Sequence, residues 1–324
     1  MTAVHARFGD TDLPEQQEQA LRRAVRLEVV TVCYVVTAVA VVAAVMGNSQ
    51  AMKAAWVEDL LSLLPPIAFL IAVRLVRQRS TGDYPYGFHR AIGAAHLTAA
   101  VALLGMGVFL IIQSATGLIS AEHPTIGTVN LLGVTVWQGW LMIAALLYTG
   151  VPPVILGRLK MRLAEPLHDK VLRADADMNK ADWATAGGAI LGVIGIGLGL
   201  WWADAVVAIG IAISIVADGI GNLRAVVAGL LDRQARTHDD AEQHPLIDEV
   251  EELARSWPWV STARVRMRDL GHVFHTEVFV VPADEQVALA DLERASDEVA
   301  GLDWKLDDVS VVCVRELPEP GAEH

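Results

Sequence analysis

The sequence predicts an α-helical membrane protein that carries a small α+β domain at its C-terminal end. Three observations support this fold class. Hydrophobic residues make up 53% of the 324 residues, which exceeds the roughly 45–50% of ordinary globular proteins. They are concentrated before about residue 230, in runs near or above the ~20 apolar residues that cross a bilayer. The segment after residue 231 has the polar composition of a soluble domain.

Six apolar runs are each long enough to span a membrane as a helix. Because a backbone in lipid must satisfy its own hydrogen bonds, helices are the expected structure. The paired prolines Pro65–Pro66 and Pro152–Pro153 are expected to bend the second and fourth spans. The six predicted spans are Leu27–Met46, Ala51–Val76, Ala91–Ile119, Val129–Leu156, Ala174–Leu200 and Ala203–Leu231.

Basic residues cluster in the connections that follow the second and fourth spans. By the positive-inside rule these connections face the cytoplasm, so both termini are predicted to be cytoplasmic. Residues 1–26 are polar and amphipathic and lack the apolar core of a signal peptide, which predicts an N-terminal tail. The compact, alanine- and arginine-rich chain suggests a bacterial inner membrane. The basic residues are Arg74, Arg77, Arg79, Arg90, Arg158, Lys160, Arg162, Lys170 and Arg173.

The C-terminal part predicts a compact domain at residues 245–316, after a linker at 232–244 and before a tail at 317–324. Pro245 suits the first turn of a helix. The order helix, strand, strand, helix, strand is typical of a ferredoxin-like α+β domain. The predicted elements are helix 245–256, strands Thr262–Arg268 and Val273–Val281, helix Val287–Ala300 and strand Val309–Val314.

Charge and composition exclude several classes of function. A formal net charge of −13 argues against a nucleic-acid partner, since phosphates attract clustered lysine and arginine. The two cysteines, Cys33 and Cys313, imply no disulfide framework and fit a reducing compartment. We find no nucleophile and base pair, no phosphate loop and no His-Glu-x-x-His motif, so neither an enzyme nor a bound cofactor is predicted.

The fifth span carries ionisable residues, which cost about 2.5–3.5 kcal/mol each inside a membrane and therefore indicate function. At about 100° per residue, Asp175, Met178, Asn179 and Asp182 share one face of the helix. Two carboxylates, an amide and a thioether on one face suit a divalent cation. On the opposite side, Asp177 and Lys180 are spaced for an i, i+3 ion pair.

The second span offers a complementary set of oxygen ligands. Glu58 and Ser62 are four residues apart and share a face, and Asp59 lies close enough to reach the same cleft. Facing carboxylates repel unless a cation or protons lie between them, so metal and proton are expected to compete. The alternative is that these acids are solvated near helix ends or paired with lysine and arginine. His96, Asp204 and Asp218 are read as packing or boundary residues.

Three motifs carry a family resemblance: Tyr84-Pro-Tyr-Gly87 with His89-Arg90, Ala174 through Asp182, and Leu230-Leu-Asp-Arg233. With them the sequence resembles the cation diffusion facilitator family of divalent-metal transporters, from about residue 27 to 316. The resemblance implies a homodimer that contacts through its cytoplasmic domains and exports a metal in exchange for protons. A non-transporting relative that senses ions or dimerises with an active transporter is the alternative.

The resemblance also implies which residues hold the transported ion. In the family, two acids four apart on the second span and a His or Asp plus an Asp on the fifth bind the metal. Ser62 and Met178 depart from that pattern and weaken the case for zinc. Manganese, iron(II), cobalt or magnesium would suit the remaining oxygens. The positions that match are Glu58, Ser62, Met178 and Asp182, with Asp59, Asp175 and Asn179 able to compensate.

Family members often hold extra zinc ions through histidines outside the spans. Here Tyr84, Phe88, Arg264 and Phe279 occupy the matching positions. Such sites are therefore either missing or rebuilt from other residues. The residues available for rebuilding are Asp83, His89, His272 and His275.

Overall fold

The structure is a computed structural model that describes residues 13–45, 50–78, 80–121, 127–131, 134–237, 240–284 and 286–317. Helices precede a small C-terminal sheet domain, as predicted. The elements are α1 (Glu15–Val45), α2 (Gln50–Leu61), α3 (Leu64–Val76), α4 (Ala91–Ile119), β1 (Thr128–Leu131), β2 (Val134–Trp137), α5 (Gln138–Leu167), α6 (Lys170–Gly197), α7 (Ala203–Leu230), α8 (Leu246–Ser256), β3 (Val260–Asp269), β4 (Phe274–Pro282), α9 (Leu289–Ala300) and β5 (Leu306–Cys313).

In the described part of the chain, five helical segments are long and apolar enough to cross a membrane. α6 has 28 residues, but its charged side chains set it apart from those five. It packs against α5 and α7 and also contacts α3 and α4, so it is part of the helical bundle. The five segments are Glu15–Ala44, Trp56–Val76, Ala91–Ile119, Gln138–Leu167 and Ala205–Leu230.

The outer surface of the helical domain is apolar. Ile71 is 56% exposed, and Ile112 and Ile213 are each 59% exposed. A soluble domain would bury such side chains, whereas lipid accommodates them. The protein is therefore an α-helical membrane protein with a C-terminal α+β domain.

The prediction is wrong for the N-terminal part of the fourth span. Residues 129–131 and 134–137 do not begin a helix; they belong to β1 and β2, which pair antiparallel with Val129 opposite Val136. Threonine and valine favour extended backbone, and an apolar run alone does not separate a strand from a helix. α5 starts at Gln138 and continues to Leu167, well beyond the predicted end at Leu156.

The two proline pairs have different effects. α2 ends at Leu61, the chain turns, and Pro65 and Pro66 occupy the first turn of α3. A missing N–H costs nothing there. This break is the predicted bend in the second span. Pro152–Pro153 lie within α5, which continues through them as one helix.

The N-terminal boundary of the first helix also differs from the prediction. α1 begins at Glu15, within the predicted tail of residues 1–26, and residues 1–12 lie outside the described part. Leu21 and Ala24 are buried in a cluster that includes Phe69 of α3 and Leu167 of α5. This end of α1 is therefore part of the packed bundle.

The C-terminal domain has the predicted order of helices and strands. β3 and β4 pair antiparallel, and β4 and β5 pair parallel, which gives the sheet order β3-β4-β5. Phe274, Val278 and Val280 of β4 are fully buried under α8 and α9. Ala235, from the segment predicted as a linker, lies in the same core.

Candidate metal centre

The break between α2 and α3 places a hydroxyl against the carboxylate of α6. Ser62, which is 4% exposed, lies in the turn between the two helices. Its Oγ donates a hydrogen bond to Oδ1 of Asp182 over 2.6 Å and lies 3.2 Å from the carbonyl oxygen of Glu58. Two of the predicted ligands, 120 residues apart in the chain, are therefore in direct contact inside the bundle.

Two further acids of α2 lie beside this contact. Glu58 is buried one turn before Ser62. Oδ2 of Asp59 is buried and has no hydrogen-bond partner among the described residues. Asp59 and Asp182 lie within electrostatic range of each other and of the Tyr34 phenol. A carboxylate without a partner in such a place is a candidate ligand for a cation.

α1 and α5 close this part of the bundle. The Tyr34 hydroxyl lies 2.9 Å from the Tyr148 carbonyl oxygen and 2.8 Å from that of Thr149. It can donate its single proton to one of them at a time. Tyr34 therefore ties α1 to α5 near the Asp59 and Asp182 carboxylates.

Met178 lies in apolar surroundings. It is 1% exposed and belongs to a cluster with Leu103 and Met106 of α4 and Ile215 of α7. Leu61, the residue before Ser62, packs against the same cluster. The thioether is thus near the α2–α3 break, with hydrocarbon as its main neighbour.

Asp175 and Asn179, predicted on the same face as Asp182, belong to another cluster. Oδ2 of Asp175 lies 2.6 Å from the Lys160 ammonium, which is 3.0 Å from Oε2 of Glu28. Asn179 donates to the Asp175 carbonyl oxygen over 2.8 Å. The four side chains that were predicted to share one site therefore do not all meet. Asp182 contacts Ser62, whereas Asp175 belongs to a buried ion group with Lys160 and Glu28.

The predicted ion pair between Asp177 and Lys180 is wrong. Lys180 forms a salt bridge of 3.0 Å to Asp218 of α7. Asp177 accepts a hydrogen bond of 3.1 Å from Asn222, whose Oδ1 lies 3.4 Å from His96 Nε2. Partners on α7 and α4 therefore replace the local one, which a single-helix projection does not include.

Two of the residues considered for a rebuilt accessory site, His272 and His275, pair with single carboxylates. His272 Nε2 lies 2.6 Å from Asp169, and His275 Nδ1 lies 2.5 Å from Asp308. Across the described residues, no three His, Cys, Asp or Glu side chains are close enough together to hold a metal ion. At Asp182 the observed neighbour is the Ser62 hydroxyl.

The sequence reasoning missed Glu28 and Lys160. Glu28 is the second residue of the predicted first span, so the cost of a charge in a membrane could have drawn attention to it. Lys160 follows the predicted end of the fourth span at Leu156, where the sequence predicts a basic connection. In the structure it lies inside α5 and is fully buried.

The connection between α5 and α6 joins the helical domain to the C-terminal domain. Asp169 caps α6: its Oδ1 accepts hydrogen bonds from the backbone of Val171 over 2.8 Å and of Leu172 over 3.0 Å. Its Oδ2 pairs with His272, which lies in the turn between β3 and β4. The start of the helix that carries Asp182 is therefore held by the C-terminal domain.

A second ion pair strengthens this junction. Lys170 Nζ lies 2.7 Å from Asp269 Oδ2, and His168 Nε2 lies 3.6 Å from it. Burial alone raises the pKa of Asp269, but the interaction with His168 and the charge of Lys170 together hold it well below its ordinary value. Burial lowers the pKa of His168. Asp269 is therefore a stable anion at neutral pH.

The fold and the buried polar clusters define a class of protein. Apolar helices that keep carboxylates inside the bundle are characteristic of membrane proteins that bind and move cations. The cation efflux transmembrane domain family matches residues 28–231. The chain belongs to this family, the cation diffusion facilitators, which confirms the resemblance seen in the motifs.

Curated relatives agree with this assignment. The cation-efflux pumps FieF of Salmonella newport (strain SL254) and Salmonella enteritidis PT4 (strain P125109) are each 28% identical to the chain over 261 residues. That match covers 78% of this chain and 78% of each relative. The chain is therefore a membrane protein of the cation-efflux class, and not an enzyme.

Proposed function

We propose that this protein exports a divalent transition-metal cation from the cytoplasm in exchange for protons. The ion is held between the second span, formed by α2 and α3, and α6. The observation that carries the proposal is the 2.6 Å contact between Ser62 Oγ and Asp182 Oδ1, which joins the two helices inside the bundle. The proposed ligands are Glu58, Asp59, Ser62 and Asp182, with Met178 at the edge of the site.

The donor atoms favour some metals over others. The proposed set of three carboxylates and a hydroxyl is rich in oxygen, which suits manganese, iron(II), cobalt or magnesium better than zinc once movement of the helices gathers these side chains around an ion. The only soft donor in the proposed set is the Met178 thioether. The same carboxylates accept protons when the metal leaves, so metal and proton exchange at one place as the helices rock.

The proposed orientation puts both termini and the C-terminal domain in the cytoplasm of a bacterial cell. Arg74 near the end of α3, Arg90 before α4 and Arg173 in the first turn of α6 lie in or beside the connections that the positive-inside rule assigns to the cytoplasm. The proposed working unit is a homodimer in the membrane, as is characteristic of the family.

Transport into proteoliposomes tests this proposal. Wild type, Asp182→Ala and Asp248→Ala would be compared for Mn²⁺, Co²⁺ and Zn²⁺ uptake under an imposed proton gradient. Asp248 is an exposed acid of α8 and serves as the matched control. We expect Asp182→Ala to abolish uptake and Asp248→Ala to retain it. Undiminished uptake by Asp182→Ala would reject the site.

A second function is kept because of the hydroxyl at position 62. The family usually has an acid at position 62, whereas here the Ser62 hydroxyl donates a hydrogen bond to Oδ1 of Asp182. This arrangement suits a relative that senses ions or dimerises without transport. Calorimetry with Mn²⁺, Co²⁺ and Zn²⁺ between about pH 6 and 8 separates the two functions. Binding of none of these ions would favour a relative that dimerises with an active transporter and does not itself transport.

A further inference from the structure

Three ionisable side chains from three helices meet in the interior, apart from the proposed transport site. Glu28 of α1, Lys160 of α5 and Asp175 of α6 have side chains that are 0%, 0% and 2% exposed. The Lys160 ammonium lies 2.6 Å from one carboxylate and 3.0 Å from the other. The ammonium therefore occupies the place between two carboxylates where a free cation would bind.

This group holds more acids than bases. With both carboxylates ionised, the single ammonium leaves one negative charge in excess, so the group needs one proton or one further cation to become neutral. Oε1 of Glu28 is buried and has no hydrogen-bond partner in the part of the chain that the structure describes. Burying a carboxylate with an unsatisfied oxygen is costly, and buried ion groups are often less stable than apolar replacements. Packing stability alone therefore does not account for the group.

The group lies between the C-terminal domain and the transport site. Asp175 is seven residues before Asp182, which is about 10 Å along a helix. It is six residues after Asp169, whose carboxylate contacts His272 of the C-terminal domain. If the C-terminal domain is cytoplasmic, a cation that enters from the cytoplasm meets this level before it reaches Asp182.

We propose that Glu28 and Asp175 form a second cation station on the path to Asp182, and that the Lys160 ammonium is its tethered resident. An incoming divalent cation displaces the ammonium, is held by the two carboxylates, and moves on to Asp182 as Lys160 returns. Between ions, the Lys160 ammonium keeps the two carboxylates ionised and fills the space between them. Because the ammonium returns to this position, the metal does not stay bound there. This inference rests on the proposed function.

Ion counting by calorimetry with Mn²⁺ on the full-length protein in detergent tests the station. Lys160→Met removes the tethered charge and keeps an unbranched side chain that is one heavy atom shorter. We expect it to bind one more Mn²⁺ per chain than wild type, and Glu28→Gln/Lys160→Met to bind as many as wild type. A Lys160→Met protein that binds the wild-type number of ions overturns the station.

The same titration separates this inference from the proposed function. Asp182→Ala is combined with wild-type Lys160 and with Lys160→Met. Loss of one ion in both backgrounds supports the transport site, whatever Lys160→Met does. If Asp182→Ala loses no ion, the transport site fails, while an extra ion in Lys160→Met still supports the station.

Glu28→Gln provides a test that does not depend on removing Lys160. It leaves Lys160 and Asp175 as a neutral pair, so the fold is expected to remain intact. We expect Mn²⁺ transport to fall about tenfold or more, with unchanged Mn²⁺ affinity at the Asp182 site. If Glu28→Gln transports Mn²⁺ at the wild-type rate, the proposal is overturned. This test remains available even if Lys160→Met does not fold. Lys160→Arg, which keeps the charge, is expected to retain more transport than Lys160→Met.

Discussion

At the scale of single residues, Ser62 decides how the proposed site differs from the family pattern. A hydroxyl is neutral and donates to Asp182, whereas a carboxylate at this position would repel it. The hydroxyl therefore stabilises the site without an ion, and it supplies a weaker ligand when an ion is present. The Ser62 side chain is thus expected to reduce the electrostatic repulsion in the metal-free site and also to lower the affinity for metal.

Replacing Ser62 by aspartate is expected to reverse this balance. Ser62→Asp places a second carboxylate near Asp182, so the affinity for Mn²⁺ and Zn²⁺ should rise about tenfold or more. The metal-free protein should melt at a lower temperature, since two buried carboxylates repel. Metal titration and thermal unfolding with and without metal measure both effects. Ser62→Ala is the control and should bind metal more weakly than wild type; weaker binding by Ser62→Asp would contradict the interpretation.

The sequence identified some site residues and missed others for a clear reason. Glu58, Ser62 and Asp182 follow from spacing within helices and from the family motif, and the structure brings Ser62 and Asp182 into contact. Lys160 and Glu28 lie 132 residues apart in the chain, and neither has a local pattern that indicates the other. A charge partner on another helix can be found only from the packing of the helices.

At the scale of elements, prediction succeeded where one rule governs and failed where two compete. α4 has the predicted bounds, Ala91–Ile119, because a long apolar run between polar ends is compatible only with a membrane-spanning helix. The hairpin of β1 and β2 was missed because its residues are apolar enough to extend a span and β-branched enough to form strands. Hydropathy and strand propensity give opposite answers there.

The start of α6 is the element whose stability can be tested most directly. Asp169 both caps the helix and pairs with His272. Asp169→Ala should lose the cap, worth about 1 kcal/mol, and also leave His272 buried without its partner, at about 1–3 kcal/mol. Asp169→Asn keeps a capping oxygen and should lose less. Thermal unfolding in detergent ranks the variants, and equal losses would show that the cap contributes little.

At the scale of the whole molecule, contacts between distant segments seat the C-terminal domain on the helices. Asp169 and His272 are 103 residues apart in the chain. Gly271, with φ of +126°, lets the turn between β3 and β4 approach α4; a Cβ there would lie 2.8 Å from the Cβ of Ile92. A glycine between two predicted strands is consistent with a turn, but the surface that Gly271 faces is visible only in three dimensions.

Acid is expected to weaken this part of the molecule through His244. Burial, with the charges of Lys305 and His168, lowers the pKa of His244 to about 4. A folded-state pKa below the unfolded value of about 6.5 favours the neutral ring. Stability is thus fully present above about pH 6.5 and falls as the pH drops towards 4. Between about pH 7 and 5, the melting temperature of His244→Gln should therefore fall less than that of wild type. Parallel pH profiles for the two proteins would contradict this expectation.

Asp232 and Asp269 each form ion pairs at the junction of the domains, and the burial of the two carboxylates predicts very different contributions to stability. Asp232, 46% exposed, contacts Arg90 and Arg268, whereas Asp269, 10% exposed, contacts Lys170. Exposed pairs contribute about 0–1 kcal/mol, but breaking a buried pair costs about 3–5 kcal/mol because it leaves an uncompensated charge. Asp269→Asn should therefore lower the melting temperature and speed hydrogen exchange at residues 168–172, because the seat of α6 loosens. Asp232→Asn, the matched control, should change both little, and a larger effect from Asp232→Asn would show that the exposed cluster holds the domains together.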